Sequence, residues 1–503
     1  MPIKREIIIV GAGAGGLCTG AKLKFRGLTD FLILERSSGV GGVWRQNIYP
    51  GARCDVPSHF YSFSFELKKD WSAEYAPQNE ILEYFEYCQR KFELSRHILP
   101  NTNIVSAIWN ASTAAWTILD QSGRVYECRI LILATGLFTE PNIPSLKGLD
   151  RFRGPIIHSA RWDKEFDPKG RNIAVVGVGA SAIQFVPEIA RSAKSVLVFQ
   201  REPAWIIPKN EDPYSKTAIR IFKYIPFAAR LYRLKAWFDK EVGTIIRPGG
   251  WRHRNRQSAA ARHLGNVTKS DEVRSKLTPS YPVGCKRLLR SSNFYLACNR
   301  ANVDVVTSGI AEVLDDAVCT ESGDRHAVDA ILLGTGFRTT EYLVGLDVTG
   351  RKGTNLHADE WKEGAHAYLG LAVADFPNMF MLYGPNTNVQ TSVIHMLEHQ
   401  ADFIIRMVKE LKRTGARSVE ARRDVMMGFN DRLQKAMVGS VWLSGCGNYF
   451  TNKFGKVSTQ WPFRATRYWL STRRLRPNRW IWDVEPSIKA KNEGVLSGSK
   501  GFQ

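Results

Sequence analysis

The sequence has little of what marks a secreted, metal-binding or membrane-spanning protein. Its eight cysteines are scattered, without a CxxC pair or a cluster with histidine, at positions 18, 54, 88, 128, 285, 298, 319 and 446. This pattern predicts reduced thiols and argues against a zinc site or a disulfide framework. No apolar run approaches the ~18–20 residues that a spanning helix needs. We expect no metal and no transmembrane segment.

A secretion signal is also missing from the first residues. The first apolar segment, Ile7–Val10, leads directly into Gly11. Cleavage after it would destroy a glycine-rich loop, so this segment reads as a strand and not as a signal peptide. We therefore expect a cytoplasmic protein. The 503 residues are enough for two to four domains of roughly 100–200 residues each.

Acidic residues are few relative to basic ones. There are 48 Asp and Glu against 70 Lys and Arg, a formal net charge of +22. Such an excess indicates nucleic acid, an anionic membrane surface or anionic cofactors as partners. Part of it is concentrated at 214–262, where basic residues alternate with apolar ones at helical spacing. This segment predicts either a membrane-surface helix or a helical subdomain that caps a cleft and keeps its charges in solvent. We favour the second.

Two glycine-rich loops are the strongest positive signals. In the first, a predicted strand is followed by the residues Gly11, Gly13, Ala14 and Gly16, and an acid, Glu35, ends the next strand. This is the dinucleotide-binding arrangement, with the pyrophosphate at a helix N-terminus and the acid on the ribose. The second loop holds the residues Gly177, Gly179, Ala180, Ser181 and Ala182.

The second loop differs at the ribose end. Arg201 stands where an acid would be expected, and a cation there favours a 2′-phosphate, hence NADPH over NADH. Glu202 follows it and would repel such a phosphate.

The segment between the two loops reads FxGxxxHxxxWD, through Phe152, Gly154, His158 and Trp162. Placed there, it resembles the fingerprint of type I Baeyer–Villiger monooxygenases. The resemblance implies an α/β fold with an FAD domain and an NADP domain, both Rossmann-like, and a helical insertion in the second. It also implies NADPH- and O2-dependent oxidation of a ketone to an ester or lactone through a flavin C4a-peroxide.

Further motifs are similar to those of the same family and assign site residues. They are GGVW from Gly41, YPGARCD from Tyr49, and YPVGCKR from Tyr281. The resemblance implies FAD contacts by Arg36, Gly42, Val43, Trp44, Asp55 and Tyr61, and NADP contacts by Arg53 and Lys286. It also implies that Arg287 is the active-site arginine, paired with Asp55. An arginine suits this chemistry because its permanent charge stabilises a peroxyanion and the oxyanion that follows.

The domain organisation follows from the same motifs. We expect the first part of the FAD domain at 1–145 and the NADP domain at 146–338, with its insertion at about 210–278. The second part of the FAD domain and a C-terminal region would occupy 339–485, and a disordered tail 486–503. GCKR together with GPNTN (384–388) resembles the acetophenone and long-chain-ketone branch of the family.

Two other functions stay open. A flavin-dependent N- or S-oxygenase shares both glycine loops but would not need Arg287. A flavoprotein that binds a membrane or nucleic acid, with little catalysis, would explain the basic insertion. We favour the ketone monooxygenase, with a small-molecule substrate and no nucleic-acid partner. Peripheral membrane contact through 214–262 stays a second possibility.

Overall fold

The computed structural model describes residues 1–244 and 246–484. The predicted disordered tail, 486–503, lies outside these residues. The first 145 residues form β1 (Ile3–Val10), α1 (Ala14–Phe25), β2 (Phe31–Leu34), α2 (Val43–Gln46), α3 (Gln78–Lys91), β3 (Ile98–Leu99), β4 (Ile104–Asn110), β5 (Ala115–Asp120) and β6 (Val125–Leu133).

Residues 146–338 contain a second set of parallel strands and four successive helices. In chain order the elements are β7 (Ile156–His158), β8 (Asn172–Val176), α4 (Ala182–Ile189), β9 (Ser195–Phe199), β10 (Ile206–Ile207), α5 (Lys216–Tyr224), α6 (Ala228–Val242), α7 (Trp251–Val267), α8 (Asp271–Leu277), β11 (Leu289–Arg290), α9 (Phe294–Cys298), β12 (Val303–Val306), β13 (Ile310–Val313), β14 (Ala317–Thr320), β15 (Arg325–Ala327) and β16 (Ala330–Leu333).

The remaining described residues add β17 (Asp347–Thr349), β18 (Met379–Met381), α10 (Val393–Thr414), β19 (Ser418–Ala421), α11 (Arg423–Met437), α12 (Ala465–Arg473) and β20 (Trp480–Asp483). Single 3-10 or π turns lie at Ser95–His97, Leu149–Arg151, Ser159–Arg161, Arg351–Gly353, Leu356–Glu360, Val441–Leu443 and Pro477–Arg479. The long helix α10 packs against α1.

Two sheets organise the molecule. The first has the order β17-β4-β5-β6-β1-β2-β3, and β18 also pairs with β6. β17 and β18 come from beyond residue 338, so the chain returns to this sheet after building the second one. The second sheet, β12-β9-β8-β16-β7, is parallel throughout. The predicted α/β fold with two Rossmann-like units is confirmed, because each glycine loop follows a central parallel strand. The domain boundaries stay predictions.

The core explains why these strands form. Ile7, Ile8, Ile9 and Val10 in β1 are all buried, as in a strand covered on both faces. In the second sheet, Ile173 to Val175 of β8 and Ile331 to Leu333 of β16 are buried in the same way. Such continuous β-branched and leucine runs are typical of parallel sheets with helices on both sides.

The insertion is helical, as expected, and α6 has a docked face and an exposed one. On the docked face, Ala229 and Ala236 are buried, and Tyr232 packs on His59 with ring centroids 5.3 Å apart. On the other face, Phe227 and Leu231 are more than half exposed. The insertion therefore exposes large apolar side chains as well as charges, and its role as a cap over a cleft stays a prediction. Among the described residues, no helix has both the length and the hydropathy to cross a bilayer.

Candidate active site

The first glycine loop joins β1 to α1 and is packed too tightly for side chains. Gly11 has a φ of +104°, and a Cβ there would lie 2.6 Å from the carbonyl oxygen of Ala134. At Gly16 a Cβ would lie 1.9 Å from the carbonyl oxygen of Gly11. Gly13 precedes Ala14 at the start of α1, where no described side chain caps the helix and the first turn holds no acid. The N–H groups of that turn can therefore receive a pyrophosphate.

Glu35 closes the loop from the end of β2. Its carboxylate is buried and accepts hydrogen bonds from the N–H of Ala12 at 2.6 Å and of Ser37 at 2.7 Å. A carboxylate has further lone pairs, so these bonds leave capacity for ribose hydroxyls. Arg36 beside it lies 3.7 Å from Glu140. The predicted cofactor contacts of Glu35 and Arg36 stay predictions.

A second turn packs on this loop. A Cβ on Gly42 would lie 3.1 Å from the Cα of Gly13, and Val43 begins α2. The Trp44 indole N–H donates to the Tyr61 hydroxyl at 3.1 Å. Burial raises the pKa of Tyr61 well above its usual range, so this hydroxyl stays protonated. The predicted FAD-contacting residues therefore gather around one glycine-lined cradle.

The second glycine loop repeats the geometry of the first. Gly177 has a φ of +97°, and a Cβ there would lie 2.9 Å from the carbonyl oxygen of Gly334. A Cβ on Gly179 would lie 3.2 Å from the same oxygen. Ala180 and Ser181 follow, and α4 begins at Ala182 with no acid in its first turn. No side chain of the described ranges caps it. This helix end also fits a phosphate.

At the ribose end of that loop, two residues that are far apart in the sequence form an ion pair. Lys286 forms an ion pair with Glu202, and its ammonium lies 5.1 Å from the ring centroid of Tyr281. Glu202 therefore has a cationic partner, and Lys286 is already engaged with a carboxylate. Arg201 is exposed beside them. The phosphate contacts predicted for Arg201 and Lys286 stay predictions.

The two halves meet at the YPGAR loop. The Tyr49 hydroxyl donates to the side-chain oxygen of Gln184 on α4 at 3.0 Å, and the Gln184 amide donates to the carbonyl oxygen of Arg53 at 3.0 Å. A Cβ on Gly51 would lie 2.5 Å from the carbonyl oxygen of Gln184. Arg53 itself donates to the carbonyl oxygen of Tyr75 at 3.3 Å. This loop leads directly to Asp55.

Asp55 and Arg287 form an ion pair across 232 residues of sequence. About a third of each side chain is exposed. Burial alone would raise the pKa of Asp55, but the charges of Arg287, Lys240 and Lys209 lower it to about 2. Asp55 in turn raises the pKa of Arg287 above its usual range. The expected pairing is confirmed, and both groups are charged at neutral pH.

Sequence reasoning missed several neighbours of this pair. Tyr383 and Tyr449 lie close enough to Arg287 to affect its pKa. Burial raises the pKa of both phenols, so both are neutral. Lys240 reaches the site from α6, and burial lowers its pKa to about 8. The Lys209 ammonium is buried 3.6 Å from Glu211. Only the tertiary structure brings Lys240 and Lys209 to Asp55, since no local motif contains them, whereas Tyr383 directly precedes the GPNTN motif.

The expectation of eight reduced thiols is wrong at one pair. Cys285 and Cys446 form a disulfide at a sequence separation of 161. It joins the loop of Arg287 to the loop of Tyr449. Pairing across such a distance leaves no CxxC or similar spacing, so the sequence offers no local sign of it. The other six cysteines are free.

The fingerprint lies at the edge of the second sheet and serves packing. Phe152 is buried, and a Cβ on Gly154 would lie 2.4 Å from the carbonyl oxygen of Asp329. His158 ends β7, and its Nδ1 accepts from the N–H of Ala160 at 3.1 Å. Burial lowers the pKa of His158, so its ring is neutral. Trp162 packs on Phe185 of α4 with ring centroids 5.4 Å apart, which links the fingerprint to the domain junction.

The chain is similar to proteins of known class over almost its whole length. Residues 8–259 match the pyridine nucleotide-disulphide oxidoreductase family. A Baeyer–Villiger monooxygenase from Pseudomonas aeruginosa is 37% identical over 97% of this chain and 93% of its own. Another from Streptomyces coelicolor is 35% identical over 93% of this chain and 91% of its own. The chain belongs to the Baeyer–Villiger monooxygenases.

A solved structure agrees with this assignment. An oxidised steroid monooxygenase bound to NADP is 26% identical, with a TM-score of 0.84, and the match covers 96% of this chain and 100% of that one. The predicted class of this Baeyer–Villiger monooxygenase, a flavin enzyme that uses FAD and NADP, is confirmed. A small-molecule substrate is consistent with it.

Proposed function

We propose that this Baeyer–Villiger monooxygenase oxidises a ketone to an ester or lactone, with Arg287 as the cation that faces the reacting oxygens. The observation that carries the proposal is the ion pair of Arg287 with Asp55, at the junction between the two glycine loops. A flavin N- or S-oxygenase would not need this guanidinium.

The residues around both loops fit the two cofactors. A Cβ on Gly11, Gly16 or Gly42 would meet the chain's own backbone, so these glycines let the first loop close tightly at the start of α1, which presents uncapped N–H groups. Bound FAD, reduced by NADPH, supplies the activation of O2 in this chemistry. The chain's own contribution is to hold the cofactors, keep a fixed positive charge at the reacting centre and limit access of water.

Arg287 supplies a positive charge, and Asp55 fixes the direction of that group. The guanidinium cannot lose its proton at any working pH, so it stabilises negative charge on oxygen next to the ketone carbon. Asp55 accepts from Arg287 and fixes its direction. The neutral Tyr449 hydroxyl contacts the same guanidinium. These roles need no proton transfer by the pair.

We further propose NADPH as the reductant, with Arg201 and Lys286 as the cations for its 2′-phosphate. The ion pair of Lys286 with Glu202 supports a position at the ribose end of the second loop. In this proposal Glu202 holds Lys286 when the phosphate is absent and gives it up when NADPH binds.

Two further proposals concern the class of substrate and the cellular location. We propose a ketone of the acetophenone or long-chain type, supported by the GCKR and GPNTN motifs. We also propose a cytoplasmic location, supported by the buried free thiols at positions 18, 54, 88, 128 and 298.

The test of the function compares native enzyme with Arg287→Lys and Arg287→Ala, each loaded with FAD. Native enzyme should convert an aryl or long-chain ketone to its ester with one NADPH consumed per ester formed. Loss of one preorganised donor of this kind costs roughly 10²–10³ in rate. Arg287→Ala should therefore consume NADPH without forming ester, and Arg287→Lys should retain part of the activity. Wild-type ester formation by Arg287→Ala would contradict the proposal.

A further inference from the structure

Helix α6 carries a stripe of large apolar side chains that faces solvent. At 100° per residue, Phe227, Leu231, Leu234 and Phe238 fall within about 60° of one another around the helix. Each of the four is 57–66% exposed. At the end of α5 the surface continues through Tyr224 and Ile225, which are 71% and 55% exposed. We call these six residues the apolar ridge.

The ridge is a projecting surface and not a partly filled groove. Phe227 stands at the junction of α5 and α6 with a φ of +63°, a left-handed backbone that bulky residues rarely adopt. Its ring gains no burial within the chain that would offset this conformation. Side chains in a groove would be partly covered by its walls, whereas these protrude.

Basic side chains frame the ridge on both sides. Around α6, Arg230 and Lys235 lie about 70° from the centre of the stripe, on opposite sides of it. On α5 the exposed residues include Lys216, Arg220 and Lys223. Within 216–242 the one exposed acid is Asp239, which pairs with Lys235. The surface is thus an apolar centre with a cationic border.

The opposite face of α6 is already fixed to the protein. Arg233 donates to the carbonyl oxygens of His59, Phe60 and Ser62 at 3.0, 3.3 and 2.7 Å. One turn beyond the ridge, at the C-terminal end of the helix, the buried Glu241 accepts from the N–H of Thr466 at 3.0 Å and fixes that end as well. The helix cannot turn its ridge inward without breaking these bonds, so the ridge is held outward.

We propose that the apolar ridge docks the enzyme on an anionic lipid surface. The six apolar side chains enter the boundary between headgroups and acyl chains, and the basic border contacts lipid phosphates. The cationic border discriminates among the molecules that could cover the ridge. A second copy packed ridge to ridge would bring two cationic borders together, and the chain's own residues beyond 484 hold three lysines against two acids, Glu485 and Glu493, so they are not anionic either. Nucleic acid could stack bases on the aromatic rings but offers no apolar layer for Ile225, Leu231 and Leu234 to enter.

The test is flotation of FAD-loaded enzyme with vesicles of pure phosphatidylglycerol or pure phosphatidylcholine. Native enzyme should float with the anionic vesicles and keep part of this binding at moderate salt, because apolar insertion is not screened. Leu231→Ser with Leu234→Ser should weaken binding at least tenfold. The matched control is Leu296→Ser with Leu470→Ser, equally exposed leucines on other faces, and should bind like native.

A charge variant separates the electrostatic contribution to lipid binding from the apolar contribution. Lys223→Gln, Arg230→Gln and Lys235→Gln together should weaken binding to anionic vesicles on the order of a hundredfold, at about 1 kcal/mol for each charge near the surface. All variants should oxidise a water-soluble ketone at the native rate without vesicles. Flotation does not depend on turnover, so its result is independent of the proposed function.

Three results would overturn the proposal. Native enzyme could fail to float with phosphatidylglycerol vesicles. It could float equally well when Leu231 and Leu234 are serines, which would reduce the contact to general attraction of a basic protein. It could also sediment as a dimer without lipid and as a monomer in the serine variant, in which case a second copy covers the ridge.

Discussion

Asp55→Asn tests how the active-site arginine is held. The substitution keeps the shape of the side chain and removes its charge. Arg287 would remain protonated, because without Asp55 its pKa falls back only to the usual range of a guanidinium, far above neutrality. The variant therefore leaves the cation in place and changes only its partner. Any loss of activity then reports the orientation of the guanidinium.

The structure gives a magnitude for the cations around Asp55, which are Arg287, Lys240 and Lys209 together. The pKa of Asp55 falls from 3.8 to about 2. This difference corresponds to about 2.4 kcal/mol, at about 1.36 kcal/mol for each pKa unit. Since about a third of both side chains is exposed, solvent screening reduces the contribution to about 1 kcal/mol of stability. Misplacement of a positioned group costs up to about 10²-fold in rate. We expect ester formation to fall roughly 10- to 100-fold.

The assay measures ester formed and hydrogen peroxide released per NADPH consumed. Native enzyme should direct most reducing equivalents to ester, and Asp55→Asn should divert most of them to peroxide. The matched control is Glu6→Gln, which removes the carboxylate partner of Arg129, a similarly exposed ion pair remote from the site. It should lower the stability by about the same ~1 kcal/mol and leave the ratio of ester to peroxide unchanged.

The same pair predicts a pH dependence of stability. The pKa of Asp55 is lower in the folded state, so its contribution is present above pH 3.8 and is lost as the pH falls toward 2. The difference in unfolding free energy between native enzyme and Asp55→Asn should shrink over this window. If Asp55→Asn keeps the native ester yield while its stability falls, Asp55 has a structural role only and the proposed orientation of Arg287 is wrong.

Three further substitutions test other parts of the site. Gly11→Ala should abolish FAD retention, seen as lost flavin absorbance, because its φ of +104° and a backbone oxygen 2.6 Å from the new Cβ exclude a side chain. Glu202→Gln should lower the KM for NADPH roughly 3- to 10-fold, and leave that for NADH unchanged, because it frees Lys286 and removes a negative charge near the phosphate. Cys446→Ser should lower the unfolding free energy by about 2–4 kcal/mol, measured by denaturant titration, because it removes the link to Cys285.

Each of these three substitutions has a matched control and a result that would contradict its prediction. Gly27→Ala changes a glycine of positive φ with nothing near its Cβ, so it separates backbone strain from steric exclusion. Glu410→Gln on α10, which breaks the ion pair of Glu410 with Arg413, controls for a general change in charge. Cys319→Ser controls for the loss of a free thiol. Full flavin content in Gly11→Ala, equal changes for NADPH and NADH in Glu202→Gln, or native stability of Cys446→Ser under non-reducing conditions would contradict the respective prediction.

Local sequence patterns were enough to predict the strands and helices of both glycine loops. The apolar segment Ile7–Val10 was predicted as a strand, and it forms the second half of β1, Ile3–Val10. This prediction succeeds because a buried parallel strand followed by a tight glycine turn has few alternatives within a short segment.

Only part of the site was predicted, because its residues come from segments that are far apart in the sequence. Asp55 and Arg287 were paired from the family resemblance, and the structure confirms the contact. Lys240 comes from another segment with no motif of its own, so nothing local indicated its approach to Asp55.

The sequence by itself determined the family, the two nucleotide loops and the main residues of the candidate site. These features depend on backbone conformation over a few residues, which glycine, alanine and charged residues specify locally. Tertiary structure alone decided the Cys285–Cys446 disulfide, the ion pair of Glu202 with Lys286 and the outward face of α6. Each of these depends on which surfaces meet after folding. Helical periodicity shows that α6 has an apolar stripe, but not whether that stripe or the small residues opposite it will pack on the core.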